Sequence, residues 1–265
     1  MNNEVKTKLR QLATLYETES FVVSDPVKFP HRFTGKTYKQ QDVEVAGFIA
    51  AWMSYGNRKA FCNKIDFLLR EMFRLVGSPY KFVMRDGVTL MRGLHDDKEN
   101  LYRFYSYGDF YDLCEHLFLL YQKYETMEIA IQECDYPAKY PVERLVHVFY
   151  ESSSRSKGVN GIPSNCESAC KRLNMFLRWM VRKGSPVDLG VWTSIHPNEL
   201  LIPLDVHVAR VSRQLGLVRR RSNDFRTILQ LTHELSQAFP NDPCKGDFAL
   251  FGWGVEHREE DLNSK

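Results

Sequence analysis

The 265-residue chain has no run of eighteen apolar residues, the length a bilayer-spanning helix requires, and none of its helix-period segments is apolar enough to substitute for one. Its first residues, Met1-Asn-Asn-Glu-Val-Lys6, lack the apolar core of a signal peptide, so the expectation is a soluble protein working in the cytoplasm, or on the nucleoid if bacterial. Cysteine is sparse and scattered. Of Cys62, Cys114, Cys134, Cys166, Cys170 and Cys244 only Cys166 and Cys170 stand close, which excludes a disulfide framework or a four-thiolate cluster. Excess charge of either sign is also lacking: a net +3 and a pI near 8.4 mean that any nucleic-acid surface must come from local clustering. No internal repeat occurs. No segment alternates apolar and polar residues beside a matching partner, which removes sheet architectures and leaves an all-α chain.

What is present is helical periodicity. Val5, Leu9, Leu12 and Leu15 mark one N-terminal helix, broken by the loop Ser24-Asp-Pro-Val-Lys-Phe-Pro30. Asp42 suits the N-cap of a nearly all-apolar core helix over 43–55, with Gly56 at its C-terminal end. A further helix is expected from about Ala60 to Val76, stopped at Gly77-Ser-Pro79. Between Gly93 and Tyr150 the pattern predicts helices over 101–107, 109–124, 127–133 and 142–150, and their many aromatics read as core and lobe packing rather than as a base-stacking stripe. The polar, Gly-bearing stretch 152–161 reads as a loop. Asp224 caps a helix over 225–239, and Asp247 begins a last one carrying Phe248, Leu250, Phe251 and Trp253.

Two stretches stand out chemically. Over 168–180, Leu173, Phe176, Leu177 and Met180 fall on one helical face and place Lys171 in the first turn. Over 202–215, Asp205 stands at the mouth of a helix whose buried face is Val208, Val211 and Leu215, where its carboxylate accepts free backbone N–H groups. Taken alone, Asp205 reads as a plain N-cap and Lys171 as a solvated helix residue.

Leu204-Asp-Val-His-Val-Ala-Arg-Val-Ser-Arg-Gln-Leu-Gly-Leu217 resembles the catalytic-aspartate segment of the helix-hairpin-helix DNA glycosylase superfamily, and Lys171-Arg-Leu-Asn-Met175 resembles the segment carrying its Schiff-base lysine. The long Lys171 to Asp205 separation resembles that of the archaeal 8-oxoguanine glycosylases, and the whole chain is similar to a bacterial family of unknown function in the superfamily. The resemblance implies a two-lobed helical fold with a cleft between lobes, one lobe being 40–150 and the other 1–39 with 151–265. It implies a DNA repair glycosylase and AP lyase that excises an oxidised purine, 8-oxoguanine above all, from DNA, with no metal or other cofactor and no obligatory protein partner. Some relatives carry an iron–sulfur cluster near the C-terminus, and this chain lacks the cysteines for one.

In that chemistry the Lys171 amine attacks sugar C1′ to form an imine while the Asp205 carboxylate stabilises positive charge on the sugar. Attack needs a neutral amine, and desolvation, the helix N-terminus and Arg172 would all favour one. Asn57, in the Tyr55-Gly56-Asn57 turn, occupies the place where such enzymes fill the gap left by an extruded base; as residues alone, Gly56-Asn57 is also simply a good turn. Met175, one turn after Lys171, would line the base pocket. Asp247 would accept the N7–H that distinguishes 8-oxoguanine from guanine, and Phe251 or Trp253 would stack on the base, although both aromatics read equally as core. Arg58, Lys59, Arg172 and the run Arg219, Arg220 and Arg221 are the candidate phosphate contacts. The segment 162–168 lacks the glycine pattern of the usual phosphate-gripping hairpin. Two alternatives stay open: a glycosylase for an oxidised pyrimidine or alkylated base, and a non-catalytic DNA- or nucleotide-binding protein of the same fold.

Overall fold

The computed structural model describes residues 1–152 and 158–257. Fourteen α-helices, one 3-10 turn and a single two-stranded hairpin make up the regular structure of the described residues, so the chain is all-α. No described helix is long and apolar enough to cross a membrane. The middle of the 152–161 loop, residues 153–157, lies outside the described residues.

The chain divides into two compact units. The first comprises Met1–Asp25, Lys139–Val142 and everything from Cys166 onward; the second comprises Pro26–Ala138 and Glu143–Asn165.

In the second unit the core is the helix Gln40–Met53, buried at every position but its first. Its start lies earlier than the sequence suggests, because Asp42 acts from inside the first turn. One carboxylate oxygen accepts the Lys39 N–H at 3.1 Å and the other accepts the Tyr80 N–H at 3.0 Å. Glu44, wholly buried in the same helix, is tolerated because its carboxylate accepts the Tyr121 hydroxyl at 2.9 Å, the Met127 N–H at 3.0 Å and the Gln40 amide at 3.1 Å. The helix Arg58–Val76 follows, capped by Asn57 and closed by Gly77 in the left-handed region.

The aromatic stretch expected as a helix over 101–107 is instead an antiparallel hairpin, Asn100–Tyr102 against Tyr105–Ser106. Tertiary anchors override its local pattern: the Tyr102 hydroxyl donates to the Tyr55 carbonyl at 2.9 Å, and Tyr105 is fully buried against Trp52 with ring centroids 4.3 Å apart. Ser106 then caps the long helix Tyr107–Lys123.

In the first unit the N-terminal helix Asn3–Tyr16 packs along the last helix, Lys245–Glu256, which also packs on Val206–Gln214. A short helix, Glu19–Ser24, precedes the expected loop Ser24–Pro30, and the end of that loop belongs to another, Lys28–His31, across the unit boundary. The segment after Gly184 folds back on the end of the helix Lys171–Val181: Leu189 and Gly190 N–H groups donate to the Trp179 carbonyl, and Trp192 N–H donates to that of Met180.

Candidate active site at Lys171 and Asp205

The lysine helix, Lys171–Val181, begins with a forced geometry. Cys170, immediately before it, sits at φ 44°, one of two non-glycine residues with positive φ among the described residues. That turn is held from outside the helix. The Ser168 hydroxyl accepts the Cys170 N–H at 3.3 Å, Ser168 bridges to Asp224, and the Phe225 N–H donates to the Glu167 carbonyl at 3.1 Å. The chain therefore enters the lysine helix tied to the start of the next-but-one helix, and Lys171 becomes its first residue. From Leu173 to Val181 the helix is buried throughout, while the Lys171 side chain keeps 39% of its exposure.

Asp205 is placed by the cap that its helix requires. One carboxylate oxygen accepts the His207 and Val208 N–H groups at 2.8 and 2.9 Å, which satisfies two of the orphan donors of Val206–Gln214. The other oxygen is left to face Lys171, with Nζ at 3.9 Å, and the Asp205 side chain is 10% exposed. The aspartate helix is clamped to the last helix by Arg210, whose guanidinium donates to the Gly254 and His257 carbonyls at 2.8 and 3.0 Å. The structure thus brings together, from the starts of two helices, the amine and carboxylate singled out in the sequence.

Met175, one turn beyond Lys171, is buried. Phe251 packs edge-on against His207, two residues from Asp205, at a centroid distance of 5.9 Å, and edge-on against Phe21 at the same distance. Trp253 is elsewhere on its helix. Two residues from Phe251 is about 200° around the axis, and Trp253 is stacked on His257 at 3.6 Å with the Lys8 ammonium over its ring.

Asp247 differs most from the sequence reading. Instead of offering a free acceptor, its carboxylate is bound by the buried Arg178 guanidinium, which also holds Asp188 at 3.2 Å. Burial lifts the Asp247 carboxyl to about 7 against the pull of Arg178, and the nearby negative charge of Asp205 adds to the rise. Arg178 is one end of a buried ionic chain. Arg182 joins Asp188 to Asp242 at 2.7 Å and to Glu17 at 2.6 Å, and Lys245 reaches Glu17 at 3.5 Å. Sequence reasoning missed this chain. Its signal was the spacing of Arg178 and Arg182, seven and eleven residues after Lys171, which returns each to the same helical face.

Among the candidate phosphate contacts, Arg220 is already committed: it pairs with Asp224 at 2.6 Å and donates to the Thr227 hydroxyl at 3.2 Å, holding the Asp224 carboxyl below the usual range. Arg219 and Arg221 are exposed, and Arg172 is half-buried at the second position of the lysine helix. In the other unit, exposed Asn57 spends its side-chain amide oxygen on the Ala60 N–H at 3.0 Å, with Arg58 and Lys59 following in the first turn.

No curated protein and no solved structure matches the chain. One family, described as "Protein of unknown function (DUF2400)", matches residues 25–256, and the chain belongs to it.

Proposed function

We propose that the protein is a DNA glycosylase with AP lyase activity of the helix-hairpin-helix type, excising an oxidised purine such as 8-oxoguanine from intracellular DNA. The observation that carries this reading is the pairing of Lys171 and Asp205: an accessible amine 3.9 Å from a capped, nearly buried carboxylate, each fixed by a helix start. The resemblance of 204–217 and 171–175 to the superfamily's aspartate and lysine segments supports it.

The extruded nucleotide presents C1′ to Lys171. The neutral amine attacks that carbon, the base leaves with the bonding electron pair, and the Asp205 carboxylate stabilises the positive charge that develops on the sugar. The aminal left at C1′ opens, its nitrogen lone pair forming the C1′=N bond as the C1′–O4′ bond breaks and O4′ takes up a proton; the imine acidifies C2′, whose proton is lost as the 3′ phosphate leaves and the strand is cut. Because one Asp205 oxygen is occupied by two backbone N–H groups, the other is held in place without reorganisation at the moment of reaction. Arg58, Lys59, Arg172, Arg219 and Arg221 supply phosphate contacts, Asn57 fills the vacated stack, and Met175 and Phe251 line the base.

A second reading keeps the same chemistry on another damaged base. It is favoured by Arg178, which occupies the Asp247 carboxylate that would otherwise accept the 8-oxoguanine N7–H. Borohydride trapping on oligonucleotides carrying 8-oxoguanine, thymine glycol or an alkylated purine tests both. A covalent adduct with 8-oxoguanine DNA, lost in Lys171→Gln, is the expected result; an adduct with another lesion only selects the second reading, and no adduct with any defeats the lyase assignment.

A further inference from the structure

Asn174 lies inside the lysine helix, one turn after Lys171, and is completely buried. Its neighbours along the helix, Leu173, Met175, Phe176 and Leu177, are all apolar. Its side-chain oxygen has no hydrogen-bond partner among the described residues. A buried oxygen without a donor is destabilising, and leucine would fill nearly the same space without one. What the amide supplies that leucine cannot is its nitrogen. Asn174 Nδ2 donates to the carbonyl of Ala169 at 3.1 Å, reaching back past the start of the helix.

Between Ala169 and the helix stands Cys170, at φ 44° and ψ 37°. A residue with a β-carbon adopts that left-handed conformation only when its surroundings enforce it. Two side chains do so from opposite directions. From inside the helix, Asn174 fixes the Ala169 carbonyl by its amide and the Cys170 carbonyl by its backbone N–H, the latter at 3.0 Å. From outside, the Ser168 hydroxyl accepts the Cys170 N–H at 3.3 Å. The residue they hold is the last one before Lys171, whose side chain is 39% exposed, so the backbone rather than packing carries most of the steering of the amine. Relaxed to the right-handed region, Cys170 would start the helix one residue earlier and redirect the chain that leads into it.

We infer that Asn174 and Ser168 are positioning residues for Lys171: they hold the left-handed turn at Cys170 and thereby keep the amine opposite the Asp205 carboxylate. This rests on the reading of Lys171 as the reacting amine and adds two side chains that act on it through the backbone.

The test uses the full chain and two readouts. The first is the single-turnover rate of borohydride trapping on a saturating duplex with an aldehydic abasic site, measured beside the Kd for a duplex carrying a tetrahydrofuran analogue. The second needs no DNA: the NMR signal of the Lys171 amine after reductive methylation with isotope-labelled formaldehyde, assigned by its absence from Lys171→Gln. Asn174→Leu is expected to slow trapping by about 10- to 100-fold, the effect of misplacing a reacting group by roughly 1 Å, with Kd unchanged and the Lys171 signal displaced. Adding Cys170→Gly to Asn174→Leu is expected to recover most of the rate and return the signal, because glycine takes the left-handed conformation without being held there. A mere packing defect at Asn174 would not be mended by removing a second side chain. Ser168→Ala, at an exposed position, is expected to act in the same sense, and it replaces Asn174→Leu as the deciding variant if the latter loses its cooperative urea transition. A parental trapping rate in the deciding variant overturns the positioning role, as does an unmoved Lys171 signal or a loss that Cys170→Gly fails to restore. A parent that traps on no abasic duplex, with a signal that moves in the deciding variant and returns with Cys170→Gly, defeats the lyase reading and leaves the positioning role standing.

Discussion

Asp205 performs two tasks with different oxygens, and replacing it by asparagine separates them. In Asp205→Asn the amide oxygen can still accept the His207 and Val208 N–H groups now at 2.8 and 2.9 Å, and asparagine caps about as well as aspartate. The helix Val206–Gln214 should therefore survive. What is lost is the charge facing Lys171. At 3.9 Å and an effective dielectric of about 20 that pair amounts to about 4 kcal/mol of Coulomb energy, but Lys171 is 39% exposed, so solvent screening leaves about 1 kcal/mol or less in stability. Thermal unfolding should shift by a few degrees at most. Excision depends on the charge far more, because a preorganised group is used when the sugar turns cationic; single-turnover base release should fall by about 10²- to 10³-fold. Asp205→Ala should show the same loss of excision and a further loss of about 1 kcal/mol from the missing cap. If Asp205→Asn releases the base at the parental rate while remaining folded, the carboxylate is only a cap. If asparagine and alanine destabilise equally, the division of labour between the two oxygens is wrong.

Arg182→Met should cost about 3–5 kcal/mol in urea unfolding, since it strands Glu17, Asp188 and Asp242 around an apolar side chain; a change under about 1 kcal/mol would mean that the ionic chain contributes little. Gly56→Ala should destabilise more than Gly77→Ala, because both glycines lie at φ near 85° but only Gly56 has a neighbour, Arg103, where the methyl would go; equal unfolding midpoints would contradict the close approach. Asp247 has its folded-state pKa raised from 3.8 to about 7, so the folded protein binds the extra proton between those values. The stability it lends is complete below about pH 4 and drains away as pH rises through 7, with a slope of up to about 1.4 kcal/mol per pH unit. Urea unfolding from pH 5 to 8 should therefore slope downward more in the parent than in Asp247→Asn, and parallel curves would refute the assignment.

The helices were legible wherever a cap and an apolar face agreed. Asp205 and Asp224 both cap the helices expected of them, and Lys171 opens its own. The hairpin was not legible, because Tyr102, Tyr105 and Tyr107 suit a buried helix as well as a strand; their hydroxyl and ring contacts to Tyr55, Trp52 and His95 decide, and those are tertiary. Asp247 escaped for the same reason. One helical turn from Phe251 it looks like a pocket wall, but its partner Arg178 is 69 residues away in sequence, and no local spacing announces a buried ion pair. Arg220 looked like one of three equivalent arginines until Asp224, four residues on, took it.

The threading of the first unit also bears on how the chain is made. The N-terminal helix Asn3–Tyr16 buries Leu9, Leu12 and Ala13, and its partner is Lys245–Glu256, more than two hundred residues downstream. During synthesis at about 5–20 residues per second, the first helix waits on the order of 10–50 seconds before that partner emerges, while the whole of the second unit is delivered in between. The second unit can close as it is made, whereas the Lys171 and Asp205 helices meet Lys245–Glu256 only once that later segment has emerged. A nascent chain stalled before Lys245 thus carries a finished second unit and an unfinished candidate active site.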